Sequence, residues 1–395
     1  MSRLTVLMFC VFGITTGEFV VVGILPDIAD DLVVTIGTAG LLVTAYAVGM
    51  IVGGPVLTAL TASVDRKRLM VALLAVAVVG NAASALAPSF GLLLGARCAT
   101  ASVTSTFFAQ AVVLAVRAAT PERAGVTVAR LAFGMNLAMI VGAPLGTAIG
   151  SRWGWRATLA TVAVACLVGL ALVCVVLRSA PEERRASAID ELRVLRRRPV
   201  LAALAITSVG NVGVLMVFSY LAPLAITLAG HPQGRLPTLL LGYGIGATIG
   251  NLVGGALYDR NPRLVQPVFL GLLTATLTGT WFVATWSVPT AVVVIGGLGF
   301  AIIPGMQARV MRTAGDAPTL AMAVNASGYQ VAAACAGLFG GLITDSASGP
   351  RAIYLIAAAT TACGLLMTLI ASRPGPDRCA GEEAKRCDQP GADLR

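Results

Sequence analysis

Long apolar runs separated by short polar segments recur along almost the whole chain. Most runs hold about 20 residues or more, the length that an α-helix needs to cross a hydrocarbon layer of roughly 30 Å. This pattern predicts an all-α polytopic membrane protein with twelve transmembrane helices. The predicted spans are 4–24, 37–60, 69–88, 90–115, 126–150, 156–177, 199–224, 237–258, 264–283, 287–308, 317–343 and 350–372.

Composition agrees with the spans. Hydrophobic residues make up 57% of the chain and charged residues 12%, whereas soluble domains carry about 25% charged residues. The first run resembles a secretory signal in its apolar character. It contains Glu18, however, and lacks a small-residue cleavage site, so we interpret it as a retained helix.

Positive residues fall mainly on one side of the predicted membrane layout. With an even number of spans both termini share a side, and the segments on that side hold 22 of the 28 Lys and Arg residues. The positive-inside rule then predicts that both termini are cytoplasmic. Because these charges are dispersed over short loops without interleaved aromatic residues, no nucleic-acid partner is expected.

Cysteine and histidine residues do not indicate a metal or disulfide site. Six of the eight cysteines lie in predicted spans, and Cys379 and Cys387 lie in the C-terminal tail. His231 is the single histidine of the chain and has no neighbouring ligand cluster in the sequence. We expect no metal and no cofactor.

A long polar segment divides the chain into two groups of six spans. The predicted parts are an N-terminal six-helix bundle (1–178), a cytoplasmic central loop (179–198), a C-terminal six-helix bundle (199–372) and a cytoplasmic tail (373–395) that is expected to be disordered. A repeated corner supports the division, because an Asp-Arg pair follows the second span of each half. Its residues are Asp65, Arg66 and Arg68 in the first half and Asp259 and Arg260 in the second. Two pseudo-symmetric halves are typical of secondary transporters.

Small residues form stripes at steps of four in several spans, which places them on one helix face. Such faces allow close helix packing in lipid. Because the stripes occur in both halves, we predict that span five meets span eight and that span two meets span eleven. Ordinary packing remains the alternative interpretation, and Pro144 should bend span five. The longer stripes are Gly134, Ala138, Gly142, Gly146 and Gly150 in span five, and Gly242, Gly246, Gly250 and Gly254 in span eight; the shorter ones are Ala45, Gly49 and Gly53 in span two, and Ala333, Gly337 and Gly341 in span eleven.

Glu18 and Arg97 are ionisable residues deep inside predicted spans, where charge is unfavourable by about 2.5–3.5 kcal/mol on insertion scales. Counting from the helix ends puts them at nearly the same depth, so they meet if spans one and four are neighbours. Burial favours the protonated acid and a nearby arginine favours the carboxylate. We therefore predict that Glu18 carries a proton during transport, with a structural ion pair or substrate binding as the alternative. Arg130 is interpreted as reaching the membrane surface.

Neutral polar residues on otherwise apolar spans are candidates for the lining of a central cavity. Some of them are expected to form only interhelical hydrogen bonds. No second acid lies deep in the second half, which favours a neutral or weakly charged amphipathic substrate. The candidates are Thr15, Gln110, Asn136, Asn211, Tyr220, Tyr243, Asn251, Gln307, Asn325 and Gln330.

Four stretches resemble the major facilitator superfamily, in particular its twelve-span drug:proton antiporters of the arabinose-efflux-like and chloramphenicol-exporter branch. They are GEFVVVGILPDIADDL from Gly17, DRKR from Asp65, LLLGARCATA around Arg97 and GAPLGTAIGSRWGWRAT from Gly142. The resemblance implies alternating access between two bundles in a bacterial inner (plasma) membrane, with small-molecule substrate, protons and lipid as partners. It also implies a monomer, and a gating role for the Asp-Arg corner and for the glycine element around Pro144.

These observations favour a proton-coupled exporter of a small amphipathic drug or antibiotic, such as a chloramphenicol-like compound, over other classes of membrane protein. An exporter of sugars or metabolites from the same superfamily is the alternative, and a sensor without transport ranks below it. An ATP-driven pump is disfavoured because the sequence has no phosphate-binding loop motif. No cluster of catalytic residues suggests an enzyme.

Overall fold

The computed structural model describes residues 2–61, 64–117, 124–177, 198–262, 264–283, 288–314 and 318–371. The tail 373–395 and almost all of the central loop 179–198 lie outside these ranges. Within them the chain forms twelve consecutive helical regions, here α1 to α12. Their segments are Arg3–Phe19 and Val21–Asp31 (α1), Ile36–Val48, Gly49–Gly53 and Gly54–Leu60 (α2), Arg66–Ala85 (α3), Phe90–Arg117 (α4), Ala124–Leu137, Ala138–Gly142 and Ala143–Trp153 (α5), Trp155–Val176 (α6), Arg198–Ser219, Leu221–Pro223 and Leu224–Leu228 (α7), Leu236–Arg260 (α8), Val265–Val283 (α9), Val288–Ala301 and Ile303–Ala314 (α10), Pro318–Thr344 (α11) and Ala352–Ala371 (α12).

These regions correspond to the twelve predicted spans. Ten of the described helices are long and apolar enough to cross a membrane, and α1 adds an eleventh when its two bent segments count as one span. Helix α9, with 19 residues and no charged side chain, is not among these ten, and it contains Gln266 and four threonines. The predicted all-α membrane fold is therefore confirmed.

Five of the twelve helical regions, α1, α2, α5, α7 and α10, are interrupted within their length. The two segments of α1 meet at an angle of 44° around Val20. Helices α2 and α5 each contain a π-helical turn, with the sequences GMIVG and AMIVG, shortly before Pro55 and Pro144. A proline has no N–H group and displaces the carbonyl group four residues earlier, which widens the preceding turn. The irregularity expected at Pro144 is therefore a π turn.

The two halves pack closely on the membrane side that carries the connections α1–α2, α5–α6, α7–α8 and α11–α12, here called the distal side. On this side Asp345 at the end of α11 accepts hydrogen bonds from the Thr35 hydroxyl and from the Gly37 N–H group (3.0 Å for the latter). The carboxylate thus caps the N-terminus of α2 from the other half of the protein. Gln233 similarly donates to Asp27.

Helices α2 and α11 meet along bare backbone, which confirms the predicted pairing of spans two and eleven. A Cβ atom on Gly341 would lie 2.7 Å from the Gly37 carbonyl oxygen, and one on Gly337 would lie 2.5 Å from the Thr44 hydroxyl. The Thr44 hydroxyl also donates to the Ala334 carbonyl group at 3.1 Å. The predicted contact residues on α2 were wrong, because Gly49 and Gly53 pack against Cys98 and Ser102 of α4.

The long stripe of α5 packs against α1 in the same half, not against α8 as predicted. Each glycine along α5 faces a residue of α1, and both helices advance in step. The pairs are Gly134 with Met8, Gly142 with Thr16, Gly146 with Val20 and Gly150 with Ile24. A stripe of this length fits a long contact between two parallel helices, and the contact between α5 and α1 lies inside the first bundle.

The stripe of α8 also packs inside its own half, against α10. A Cβ atom at Gly246, Gly250 or Gly254 would overlap the backbone of Val293, Gly297 or Ala301, respectively, and Gly242 faces the Val293 side chain. Helices α5 and α8 do touch across the two halves, as predicted. That contact uses Gly244, whose Cβ position lies 2.9 Å from the Ile140 Cα atom.

Replacing Gly341 with valine should loosen the distal closure, because the new side chain would overlap the Gly37 carbonyl oxygen and backbone atoms cannot move aside cheaply. We expect faster amide hydrogen exchange in the first segment of α2, measured by mass spectrometry on purified protein. Gly279→Val is the matched control, since a Cβ atom there meets no protein atom within 4 Å. Unchanged exchange in Gly341→Val would show that this contact does not hold the distal side shut.

Replacing Gly146 with alanine should destabilise the first half by about 1–3 kcal/mol, the usual range for overpacking. The added methyl group overlaps Val20 Cγ2, so Val20→Ala in the same chain should recover most of the loss. Thermal unfolding of the two single variants and the double variant measures this coupling. Strictly additive losses would mean that the two side chains do not meet.

Candidate functional site

Glu18 lies near the middle of α1, two residues before its bend. The α1 segment that carries it packs against α4, α5 and α6 of the same half. The side chain is half-buried, while the residues on either side of it along the helix include the fully buried Gly17 and Val20. Glu18 is thus an acid inside the protein whose side chain remains partly accessible to solvent.

The Glu18 carboxylate is bound by a residue of the other half. Gln330 of α11 donates a hydrogen bond from its Nε2 atom to Glu18 Oε1 at 3.2 Å. Among the described residues this is the one hydrogen bond that the Glu18 side chain makes. Gln330 is 8% exposed, and its own carbonyl oxygen is buried without a hydrogen-bond partner.

Arg97 lies close to Glu18 but does not bind it directly. Helices α1 and α4 are neighbours, as the sequence required, and the two charges are near enough to interact electrostatically. Among the residues that the structure describes, however, no ion pair joins them. The predicted Glu18–Arg97 contact is therefore an electrostatic interaction without a direct ion pair.

The Arg97 guanidinium is instead placed over an aromatic ring. Its central carbon lies 4.4 Å from the centroid of the Tyr46 ring, a cation–π contact. The residue is 1% exposed, and its Nε and Nη1 atoms are buried without hydrogen-bond partners in the described part of the chain. The Tyr46 hydroxyl shares a hydrogen bond of 2.8 Å with Thr104 of α4. Arg97 therefore has spare donor groups beside the acid.

Aromatic side chains form a row from α1 into the second half. Phe19 packs edge-on against Phe218 with ring centroids 5.9 Å apart, Phe218 contacts Tyr243 at 4.8 Å, and Tyr243 contacts Phe300 at 6.3 Å. The rings at the two ends, Phe19 and Phe300, are half-buried, whereas the central two are buried. Tyr329, next to Gln330 on α11, interacts electrostatically with both Tyr243 and Glu18.

Of the predicted cavity residues, the structure brings Gln330 to Glu18 and places Tyr243 in the aromatic row. Thr15 and Gln110 are buried, while Asn136, Asn251 and Gln307 are half-buried. Their roles in a cavity remain predictions.

Three other candidates form interhelical contacts. The Tyr220 hydroxyl donates to the Gly337 carbonyl group at 2.6 Å and abuts Gly40, so it belongs to the distal closure. Asn211 donates to the Thr207 carbonyl group at 2.7 Å, and the Thr207 hydroxyl donates to Asn325 at 2.9 Å. Asn325 therefore joins α11 to α7, whereas Asn211 joins α7 to α10 by donating to the Met306 sulfur atom at 3.1 Å.

The residues of the repeated corner lie at helix ends. Asp65 caps α3 by accepting a hydrogen bond from the Arg68 N–H group at 3.0 Å. Arg66 is half-buried, and Asp259 and Arg260 are exposed at the end of α8. Asp65 is therefore a helix cap in this structure. The gating role of the Asp-Arg corner remains a prediction.

Sequence reasoning missed Tyr46 and Tyr329. It also missed three members of the aromatic row, Phe19, Phe218 and Phe300. A single aromatic residue in an apolar span carries no signal for a site, because the same residue type fills membrane protein cores. The adjacency of Phe19 to Glu18 and of Tyr329 to Gln330 was the available signal.

Comparison with known proteins identifies the family. The family model described as "Major Facilitator Superfamily" matches residues 7–319 and 238–389. The chain is 31% identical over 368 residues to the "Inner membrane transport protein YdhP" of Escherichia coli (strain K12), which covers 93% of this chain and 95% of that protein. It is 33% identical over 334 residues to a "Chloramphenicol resistance protein" of Streptomyces lividans, covering 82% and 84% of the two chains.

A "Probable sugar efflux transporter" of Pasteurella multocida (strain Pm70) is 28% identical over 394 residues, covering 95% of this chain and 94% of that one. A crystal structure of a bacterial homologue of the human lysosomal transporter Spinster, described as inward-facing and unoccupied, matches with a TM-score of 0.68 at 14% identity and covers 93% of this chain and 94% of that chain. This likeness shows the fold. The chain belongs to the major facilitator superfamily and is a multi-pass membrane transporter of small molecules, not an enzyme.

Proposed function

We propose that the protein is a proton-coupled antiporter that exports a neutral or weakly charged amphipathic compound, with Glu18 as the proton carrier. The observation that carries the proposal is the position of Glu18. It is a half-buried acid at the contact between the two halves, bound by one half and belonging to the other. A group at this place changes its surroundings whenever the halves tilt against each other.

The proposed cycle uses the electrostatic surroundings of Glu18. Arg97 favours the charged carboxylate, and exclusion of water favours the protonated acid. With the positive-inside orientation, the closed distal side faces outward, so this conformation receives substrate from the cytoplasm. When the distal side opens, a proton from outside binds Glu18 and the substrate leaves.

The surroundings also favour a class of substrate. Two buried Arg97 N–H groups without protein partners call for a ligand with hydrogen-bond acceptors, such as nitro, carbonyl or sulfonyl oxygens. The same guanidinium repels a cation. The half-exposed rings of Phe19 and Phe300 offer flat apolar surfaces for the rest of the molecule. A neutral antibiotic of the phenicol type has these properties, and a relative of this chain is named a chloramphenicol resistance protein.

Export of sugars is the second candidate, favoured by the similarity to a probable sugar efflux transporter. The two are separated by expressing the protein in a drug-sensitive bacterium. Protection against neutral antibiotics supports drug export. Equal sensitivity to every antibiotic, together with lower accumulation of labelled sugars, supports the alternative.

Glu18→Gln should abolish export driven by an imposed pH difference in proteoliposomes, because a neutral amide cannot exchange a proton. Substrate exchange across the membrane without a pH difference should persist, since that step needs no proton. Asp30→Asn is the control, because Asp30 is an exposed carboxylate on the distal side. Flux in Glu18→Gln that still follows the pH difference would rule out the carrier role.

Arg97→Lys should weaken binding of acceptor-rich neutral compounds by roughly ten- to a hundredfold. Lysine keeps the positive charge but loses the flat fork of N–H donors, and a hydrogen bond to a charged donor is worth about 1.5–3 kcal/mol. Binding to purified protein measures the effect. Arg130→Lys is the control, since Arg130 is exposed on α5. Equal affinity in Arg97→Lys and the native protein would mean that the guanidinium does not contact the substrate.

A further inference from the structure

The side chain of Gln330 matches both chemical forms of Glu18. A carboxylate only accepts hydrogen bonds, whereas a protonated carboxyl group has one O–H donor. An amide group has two N–H donors on one side and a carbonyl acceptor on the other. In the structure the N–H side of Gln330 binds Glu18, and the carbonyl oxygen is buried with no hydrogen-bond partner among the described residues.

Exchanging these two sides requires only a half turn about the last side-chain bond. That torsion is broad and roughly two-fold in glutamine, so both orientations are accessible. The neighbouring groups do not compete for the position among the described residues. Tyr46 is bonded to Thr104, and Arg97 lies over the Tyr46 ring without an ion pair to Glu18.

We propose that Gln330 is the positioning residue that Glu18 keeps as its partner in both protonation states, by turning its amide from donor to acceptor when the acid takes up a proton. The proposal rests on the proposed function, in which Glu18 is the proton carrier. Its consequence is that Glu18 has a hydrogen-bond partner of the right kind both before and after proton uptake. The bond between the halves is therefore kept while the proton is loaded.

The titratable groups around Glu18 come from several helices. Arg97 of α4, Tyr46 of α2 and Tyr329 of α11 interact with it electrostatically, and Tyr329 also interacts with Tyr243 of α8. On α6, Cys166 interacts with Tyr46 and Cys10. All of these groups are left unchanged by substitutions at position 330, so a change in the titration of Glu18 in those variants reports on Gln330.

Infrared difference spectroscopy on purified full-length protein tests the proposal without transport. The carboxyl stretching band that grows as the pH falls, and that is missing in Glu18→Gln, follows the protonation of Glu18. Gln330→Glu places a second acid beside Glu18, and the midpoint of the band should move to higher pH by about one unit or more. Gln330→Lys offers only donors, which favour the carboxylate, and the midpoint should move lower by a similar amount.

Gln330→Met keeps the length of the side chain but has neither an N–H donor nor a carbonyl acceptor. Both forms of Glu18 then lose their partner, so the midpoint should stay within about half a unit while the band moves to the position of an unbonded carboxyl group. Gln266→Met is the matched control, because Gln266 is a buried glutamine on α9, away from the site. Thermal unfolding checks that each variant is folded.

The outcomes separate this proposal from the proposed function. Unchanged midpoints in the Glu and Lys variants, or an unchanged band position in Gln330→Met, overturn the role of Gln330 whatever the transport result. Midpoints that move as expected, with Glu18→Gln still following the pH difference in vesicles, keep the pairing and overturn the carrier role. Midpoints that move together with loss of coupled flux in Glu18→Gln support both.

Discussion

The arrangement of the site depends on how the carboxyl group of Glu18 is accommodated inside a hydrocarbon layer. A carboxyl group there must find its hydrogen bond within the protein, and the partner in this chain comes from the opposite half. Glu18 therefore cannot be described as a property of the first bundle alone. Its surroundings include the charge of Arg97, the ring of Tyr46 and the amide of Gln330, and only the first two belong to its own half.

Close packing inside each bundle is what allows such a site to work. The stripe on α5 lies along α1, and the stripe on α8 lies along the backbone of α10. Contacts of this kind leave no space for one helix to slide without disturbing its neighbour. The contacts between the halves include the α2–α11 pairing, the approach of Gly244 to Ile140 and the hydrogen bond from Gln330 to Glu18.

Much of the fold was predictable from the sequence. Span length and apolar composition predicted α1 to α12, because a lipid layer imposes one helix length on every span. The stripe of α11 does meet α2 as predicted, whereas the long stripes of α5 and α8 pack inside their own halves, since a face of small residues does not specify which helix fills it. The glycine that does join α5 to α8 is Gly244, which lies two positions away from Gly242 and Gly246 of the α8 stripe. Gly244 is not part of any repeated spacing, so the sequence pattern does not indicate it.

The site was harder to predict for the same reason. Glu18 and Arg97 were recognisable because charge inside a span is unfavourable and needs an explanation. Tyr46 and Phe218 are uncharged residues in apolar helices, and only the folded chain shows what they touch. Asn211 and Asn325 show the other possibility foreseen for polar residues in spans, because the structure gives them interhelical hydrogen bonds with Met306 and Thr207, respectively. A polar residue in a span indicates that the residue has a polar partner. The sequence does not show whether that partner is a neighbouring helix or a substrate.

The cap that Asp345 places on α2 determines how reversible the distal seal is. Both Asp345 and Thr35 are exposed at the membrane surface, so water can replace each of their hydrogen bonds as soon as the halves separate. Exposed polar contacts contribute little net free energy, about 1 kcal/mol or less. A single elementary charge crossing a membrane at 100 mV supplies roughly 2.3 kcal/mol. The cap by itself is therefore weaker than the free energy that one charge gains across such a potential.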